Sequence, residues 1–117
     1  GQGSLLNPAY PGGFELLAAA RPDIVILQHA PARKEYDGFP GRRLHNLSRQ
    51  IRAIETVSDV PVVAVTINDE KIDAEDLSSV IAKISEDTGL PVCAPLRQGV
   101  EPILDVLLSH LSSFEFR

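Results

Sequence analysis

The seven residues "PVVAVTI" (61–67) give the clearest indication of the fold, because β-branched and aliphatic side chains follow a proline without interruption. A second stretch, "DIVILQ" (23–28), has the same character and also follows a proline. Continuous apolar runs of this length predict strands that are buried on both faces, as in parallel sheets covered by helices. "LPVCAPL" (90–96) predicts a third, short strand.

The segments between these strands have the spacing of helices. A short helix is predicted at about 13–20 and an amphipathic one within 44–57. Asp73 is the predicted N-cap of the next helix, and Gly89 is the predicted stop at its C-terminus. A last helix is predicted at about 100–113. Its apolar residues are expected to face the sheet: Ile103, Leu104, Leu107, Leu108 and Leu111.

This order of elements predicts a three-layer α/β/α domain with a mainly parallel sheet and right-handed crossovers. Residues 1–117 are expected to form a single α/β domain. Three strands make a thin sheet, and apolar strands left at its edges would be pairing templates for other chains. We therefore expect further strands beside them, and we expect the chain to be the C-terminal portion of a larger domain.

Composition argues against several classes of protein. The net charge of -5 and the absence of a long basic run argue against nucleic acid as a partner. No apolar run approaches the roughly 20 residues that cross a bilayer, and no signal-peptide pattern is present. We expect a cytoplasmic protein without membrane contact. Cys93 is the single cysteine, and the acidic residues at 69–76 lack EF-hand spacing, so no metal site is predicted.

The long segment after the first strand, "HAPARKEYDGFPGRRLHN" (29–46), is the predicted ligand region. Ligands of parallel sheets bind beyond the carboxyl ends of strands, and such connections usually need only a few residues. Its positive charges suit a phosphate, a carboxylate or a coenzyme A tail. His29 and Arg33 are the candidate catalytic residues. The alternatives are a strand-end hydrogen bond for His29 and a surface ion pair for Arg33.

Four stretches together resemble one family. They are "GQGSLLNPAYPGG", "RPDIVILQHAPARKEYDGFP", "VVAVTIND" and "TGLPVCAPLRQG", in this order along the chain. They resemble the C-terminal P-loop domain of the D-glutamate N-acetyltransferase-like family, long classed as a domain of unknown function. The resemblance implies a P-loop NTPase-like, Rossmann-like fold. It also implies an upstream Walker-B-like strand and a glycine-rich phosphate loop, so we expect this chain to lack the Walker A half.

The resemblance also assigns residues near the start of the chain. Gln2, Gly3 and Ser4 match the family's turn after the Walker-B-like strand, where amides and a hydroxyl would face phosphate. Asn7 and Tyr10 match the following positions, although histidine is common in the family where Asn7 stands. The resemblance therefore makes these five residues candidates for ligand or phosphate binding.

Further matches lie after the two long strands. His29 and Arg33 match the family pattern H-x-P-x-R, written "HAPAR" here, and residues 38–40 match its "GFP". Asn68 lies where related P-loop enzymes often read a nucleotide base. His29 and Arg33 are thus indicated both by their chemistry and by the resemblance.

The leading hypothesis is an acyltransferase that moves an acetyl group from acetyl-CoA to the amine of an acidic D-amino acid. His29 would be the base or an orienting group, and Arg33 would clamp a carboxylate or phosphate; these two roles follow from position and chemistry. One alternative is an ATP- and Mg-dependent P-loop enzyme resembling dethiobiotin synthetase. Another is a non-catalytic binding or oligomerisation module. A homo-oligomer is expected, and the isolated chain is expected to be inactive without a phosphate loop.

Overall fold

The computed structural model describes residues 5–8 and 12–114 and follows the predicted order of elements. A short helix between the third strand and the last helix was not predicted; it begins at Pro95, a residue well suited to a first helical turn. The elements are α1 (Gly12–Ala20), β1 (Val25–His29), α2 (Leu47–Ser58), β2 (Val62–Ile67), α3 (Ala74–Thr88), β3 (Val92–Cys93), α4 (Pro95–Gln98) and α5 (Glu101–Phe114).

The three strands form one parallel sheet in the order β1-β2-β3. In the pairing of β2 with β3, Val65 lies opposite Val92 and Thr66 opposite Cys93. The central strand is covered on both faces, as predicted: the adjacent residues Ala64 and Val65 point to opposite faces, and both are fully buried. The predicted α/β class with a parallel sheet is confirmed.

The prediction that β1 is buried on both faces is wrong. Burial alternates along this strand, and Ile26 and Gln28 are exposed. β1 is an edge strand whose only neighbour in the described sheet is β2, and the face that carries Ile26 and Gln28 is exposed. Apolar composition alone does not show whether both faces of a strand are covered, because that depends on the helices packed above and below it.

The chain divides into two compact units. One comprises the residues up to Val25 together with 33–62, and in it α1 packs against α2. The other comprises 26–32 and the residues from Val63 onward. It contains nearly all of the sheet, with α3 and α5 packed against β3.

The core of the second unit includes a cluster of Ala64, Cys93 and Ile103, none more than 4% exposed. The expectation that five apolar residues of α5 all face the sheet is wrong. Ile103 is buried, but Leu104, Leu108 and Leu111 are between 43% and 60% exposed. α5 packs on β3, a strand of two residues, and so short a strand covers only the beginning of the helix.

Capping fixes the ends of the middle helices. Asn46 caps α2, and its Oδ1 accepts a hydrogen bond from the Arg49 amide at 2.8 Å, so this helix begins at Leu47. Asp73 is the N-cap of α3, as predicted, although its side chain makes no capping hydrogen bond. Gly89 ends α3 in the left-handed conformation with φ 70°, and its amide donates to the Ser85 carbonyl.

Gly89→Ala is expected to lower the free energy of unfolding by about 1 kcal/mol, because a Cβ atom is disfavoured in the left-handed region. Gly12→Ala is the matched control: Gly12 opens α1 and has no atom within 4 Å of an added Cβ. Its stability should be unchanged or slightly raised. Urea unfolding of the intact protein measures both variants. Equal losses in the two would contradict the role of the Gly89 conformation.

Candidate functional site

His29 and Asn68 meet at the carboxyl ends of β1 and β2. His29 is the half-buried last residue of β1, and its carbonyl oxygen accepts a hydrogen bond from the Asn68 amide at 2.8 Å. Both residues lie in the second unit. The structure therefore brings together two predicted site residues at the edge where parallel sheets bind ligands. Their contact with a ligand stays a prediction.

The loop after β2 is shaped by its own polar side chains. Asn68 Oδ1 accepts a hydrogen bond from the Glu70 amide at 3.1 Å, which is an Asx turn. Asp69 forms an ion pair with Arg97, and its side chain is only 13% exposed. Arg97 Nη2 also donates to the Ile72 carbonyl at 3.2 Å. These contacts tie the loop after β2 to α4, an arrangement that no sequence pattern indicated.

In the first unit, residues 33–45 form a closed structure that we call the Tyr36 loop. Main-chain hydrogen bonds join its two arms: the Tyr36 amide donates to the Arg42 carbonyl and the Leu44 amide to the Lys34 carbonyl, each at 2.9 Å. Gly38 and Gly41 lie between the arms with φ of 82° and 84°. Positive φ at both positions lets the chain reverse here, a conformation that glycine adopts readily.

Tyr36 and His45 are paired at the base of this loop. Tyr36 is 3% exposed, and its hydroxyl is hydrogen-bonded to His45 Nδ1. The same hydroxyl accepts the His45 amide at 3.3 Å, and the two ring centroids are 5.6 Å apart. The buried Gln50 donates from Nε2 to the His45 carbonyl at 2.8 Å. These contacts hold the Tyr36 loop on the first turn of α2.

Asn7 also contacts the Tyr36 loop. It is 3% exposed, and its Nδ2 donates to the Asp37 carbonyl at 3.0 Å. The structure therefore shows Asn7 fixing the loop backbone, while a contact between Asn7 and a ligand stays a prediction. The other candidates from the opening stretch, Gln2, Gly3, Ser4 and Tyr10, lie outside the described residues.

A hollow of about 370 Å³ opens on the Tyr36 loop. Arg33, the candidate clamp, is exposed and contributes to its wall. Sequence reasoning found Arg33 but missed the contribution of Tyr36, and the only signal for it was the excess length of the segment. The residues lining the hollow are Arg33, Glu35, Tyr36, Asp37, Gly38 and Pro40.

An acidic cluster at the start of α3 and the cysteine of β3 also carry titratable groups. Asp73, Glu75 and Asp76 have carboxylate oxygens within 4.8 Å of one another, but all three are exposed at the start of α3, where the helix dipole favours acids. Cys93 is fully buried, and burial, assisted by the charge of Glu101, raises the pKa of its thiol. A raised pKa keeps the thiol protonated and unreactive, as expected of a core cysteine.

Within the described ranges, the structure contains no helix of the length and apolar character needed to cross a membrane.

Two curated proteins are similar in sequence to most of this chain. It is 31% identical over 110 residues to a D-glutamate N-acetyltransferase of Pseudoalteromonas sp, and 27% identical over 114 residues to one of Tritonibacter scottomollicae. These matches cover 89% and 92% of this chain but 33% and 34% of the relatives. The chain thus spans about a third of the length of the curated relatives it matches.

A solved structure and a family model also match most of this chain. The crystal structure of a DUF1611 family protein from Anabaena variabilis ATCC 29413 has a TM-score of 0.86 at 29% identity, covering 93% of this chain and 34% of that one. The model described as the domain of unknown function DUF1611_C, P-loop domain, matches residues 1–104. This chain therefore belongs to the DUF1611 family, whose C-terminal P-loop domain model matches most of it.

Proposed function

We propose that the chain is part of an N-acetyltransferase that moves an acetyl group from acetyl-CoA to the amine of an acidic D-amino acid. The observation that carries this proposal is the 31% identity to a D-glutamate N-acetyltransferase over 89% of the chain. A continuous match of that extent spans residues 33–45, which form the Tyr36 loop. The proposal extends to the intact protein, of which this chain supplies one part.

The reaction sets chemical requirements that residues can meet. The lone pair of the amine attacks the thioester carbonyl carbon, a C–N bond forms, the C–S bond breaks, and the sulfur leaves as the thiol. The amine has to lose a proton to a base, and the developing oxyanion needs a hydrogen-bond donor. An acidic substrate also needs a cation to hold its carboxylates.

His29 and Arg33 are the residues that we propose for two of these roles. His29 suits a base or orienting group, because histidine titrates near neutral pH and this one lies at the carboxyl end of β1. Arg33 suits the clamp, because its exposed guanidinium can form paired hydrogen bonds to a carboxylate or a phosphate. Gln2, Gly3, Ser4, Asn7, Tyr10 and Asn68 remain our proposed contacts to the phosphates or other parts of the ligands.

The test is an acetyl-transfer assay of the intact protein with acetyl-CoA and D-glutamate, D-aspartate or L-glutamate. We expect release of the coenzyme A thiol and an N-acetylated product with a D-amino acid, identified by its mass. A parallel reaction with ATP and Mg²⁺ serves as control, and it should release no phosphate. Failure to acetylate any D-amino acid would refute the proposal, and phosphate release coupled to product would favour an ATP-dependent enzyme.

A further inference from the structure

The hollow of the Tyr36 loop is lined by side chains of both charges. Arg33 contributes one positive charge, and Glu35 and Asp37 contribute two negative charges. All three residues are exposed, so water-borne ligands can reach them. The volume of about 370 Å³ lies within the range of about 300–1,000 Å³ found for small-molecule sites. Size and charge together fit a small ligand that has an anionic and a cationic group.

The same charges disfavour a phosphate tail. Coenzyme A carries several phosphate charges, and in this hollow they would meet two carboxylates for each guanidinium. Like charges placed together at a binding surface reduce affinity for the wrong partner. An α-amino acid offers a carboxylate to Arg33 and an ammonium group to Asp37 or Glu35. The lining thus favours one of the two uses of Arg33, the binding of a carboxylate.

The backbone that carries these side chains is held from two sides. The buried Tyr36, which lies between Glu35 and Asp37, is bonded to His45. Asn7 donates to the main-chain carbonyl of Asp37. A loop that is ordered before the ligand arrives loses less conformational entropy on binding. The arrangement is therefore suited to selecting a small ligand by the spacing of its charges.

We propose that this hollow is the subsite for the amino acceptor, in which an α-amino acid binds with its carboxylate on Arg33 and its ammonium group on Asp37, with Glu35 beside it. The identity of the acceptor rests on the proposed function, whereas the preference for a zwitterion over a polyphosphate rests on the lining of the hollow. Coenzyme A binds elsewhere in the intact protein.

The experiment compares Asp37→Asn with Asp105→Asn in the intact protein. Both variants remove one exposed carboxylate, but Asp105 lies on α5 and does not line the hollow. We expect Asp37→Asn to raise KM for D-glutamate about tenfold and to change KM for acetyl-CoA less than twofold. Asp105→Asn should change neither. Glu35→Gln provides a second variant, and a thermal unfolding scan confirms that each protein is folded.

Isothermal titration tests the subsite independently of acetyl transfer. D-glutamate is titrated into the protein alone and into the protein saturated with coenzyme A. Binding that Asp37→Asn weakens about tenfold would support the subsite even if no acetyl transfer occurs. Three results would overturn it: no binding of D-glutamate under either condition, unchanged binding in both Asp37→Asn and Glu35→Gln, or a loss confined to coenzyme A.

Discussion

Arg33→Ala is expected to lower kcat/KM of the intact protein for the proposed substrate, an acidic D-amino acid, about 100-fold, which corresponds to about 2.7 kcal/mol. The guanidinium lies in the wall of the hollow, and alanine leaves the substrate carboxylate without its charge-assisted partner. Most of the loss should appear in KM for the amino acid, because the carboxylate contact is present both in the bound substrate and in the transition state. Steady-state kinetics with each substrate varied in turn measure this division.

Two variants control for charge and geometry. Arg52→Ala removes the same charge from the exposed face of α2, away from the hollow lining, and it should leave kcat/KM within about twofold. Arg33→Lys keeps the charge but loses the paired hydrogen bonds, so an intermediate loss of about tenfold is expected. If Arg33→Ala left KM for the amino acid unchanged, the proposal that Arg33 binds the carboxylate of the acceptor would be wrong.

Ile67→Ala is expected to lower the free energy of unfolding by about 2–5 kcal/mol. Ile67 is the last residue of β2 and is 2% exposed, so the substitution removes apolar contacts and leaves a cavity that the neighbouring side chains fill only in part. A loss of this size is a large fraction of the stability of an ordinary domain. Equilibrium unfolding of the intact protein in urea gives the value.

Val57→Ala is the control for this substitution. Val57 is an aliphatic residue of α2 that is 47% exposed, and its truncation should cost no more than about 0.5 kcal/mol. Ile67→Val removes one methylene and should cost about 0.5–1.5 kcal/mol. If Ile67→Ala and Val57→Ala destabilised the protein equally, the buried centre of the sheet would not be the source of its stability.

The strands and helices could be predicted from the sequence because each signal was local. The run "PVVAVTI" sufficed for β2, and Gly89 for the end of α3. The burial of β1 and α5 could not be predicted in this way. Ile26 and Leu108 are as apolar as the residues of β2, and their exposure depends on how many elements lie beside them.

The candidate site, too, could be predicted only in part from the sequence. His29 and Arg33 were found because their residue types suit a ligand edge, and the structure places one at the end of β1 and the other in the wall of a hollow. The bond between Tyr36 and His45 could not be predicted. This hydrogen bond forms because the chain reverses at Gly38 and Gly41, which have positive φ. The spacing of polar residues does not predict that conformation.

The closure of the Tyr36 loop by main-chain hydrogen bonds separates its backbone shape from its charge. The main-chain hydrogen bond from Leu44 to Lys34 joins the two ends of the loop, so its closure does not depend on the exposed side chains in between. The exposed side chains of Glu35 and Asp37 can therefore change without opening the loop, whereas the buried Tyr36 and the two glycines maintain its shape. The charge at the hollow can thus be altered by single substitutions while the backbone around it keeps its conformation.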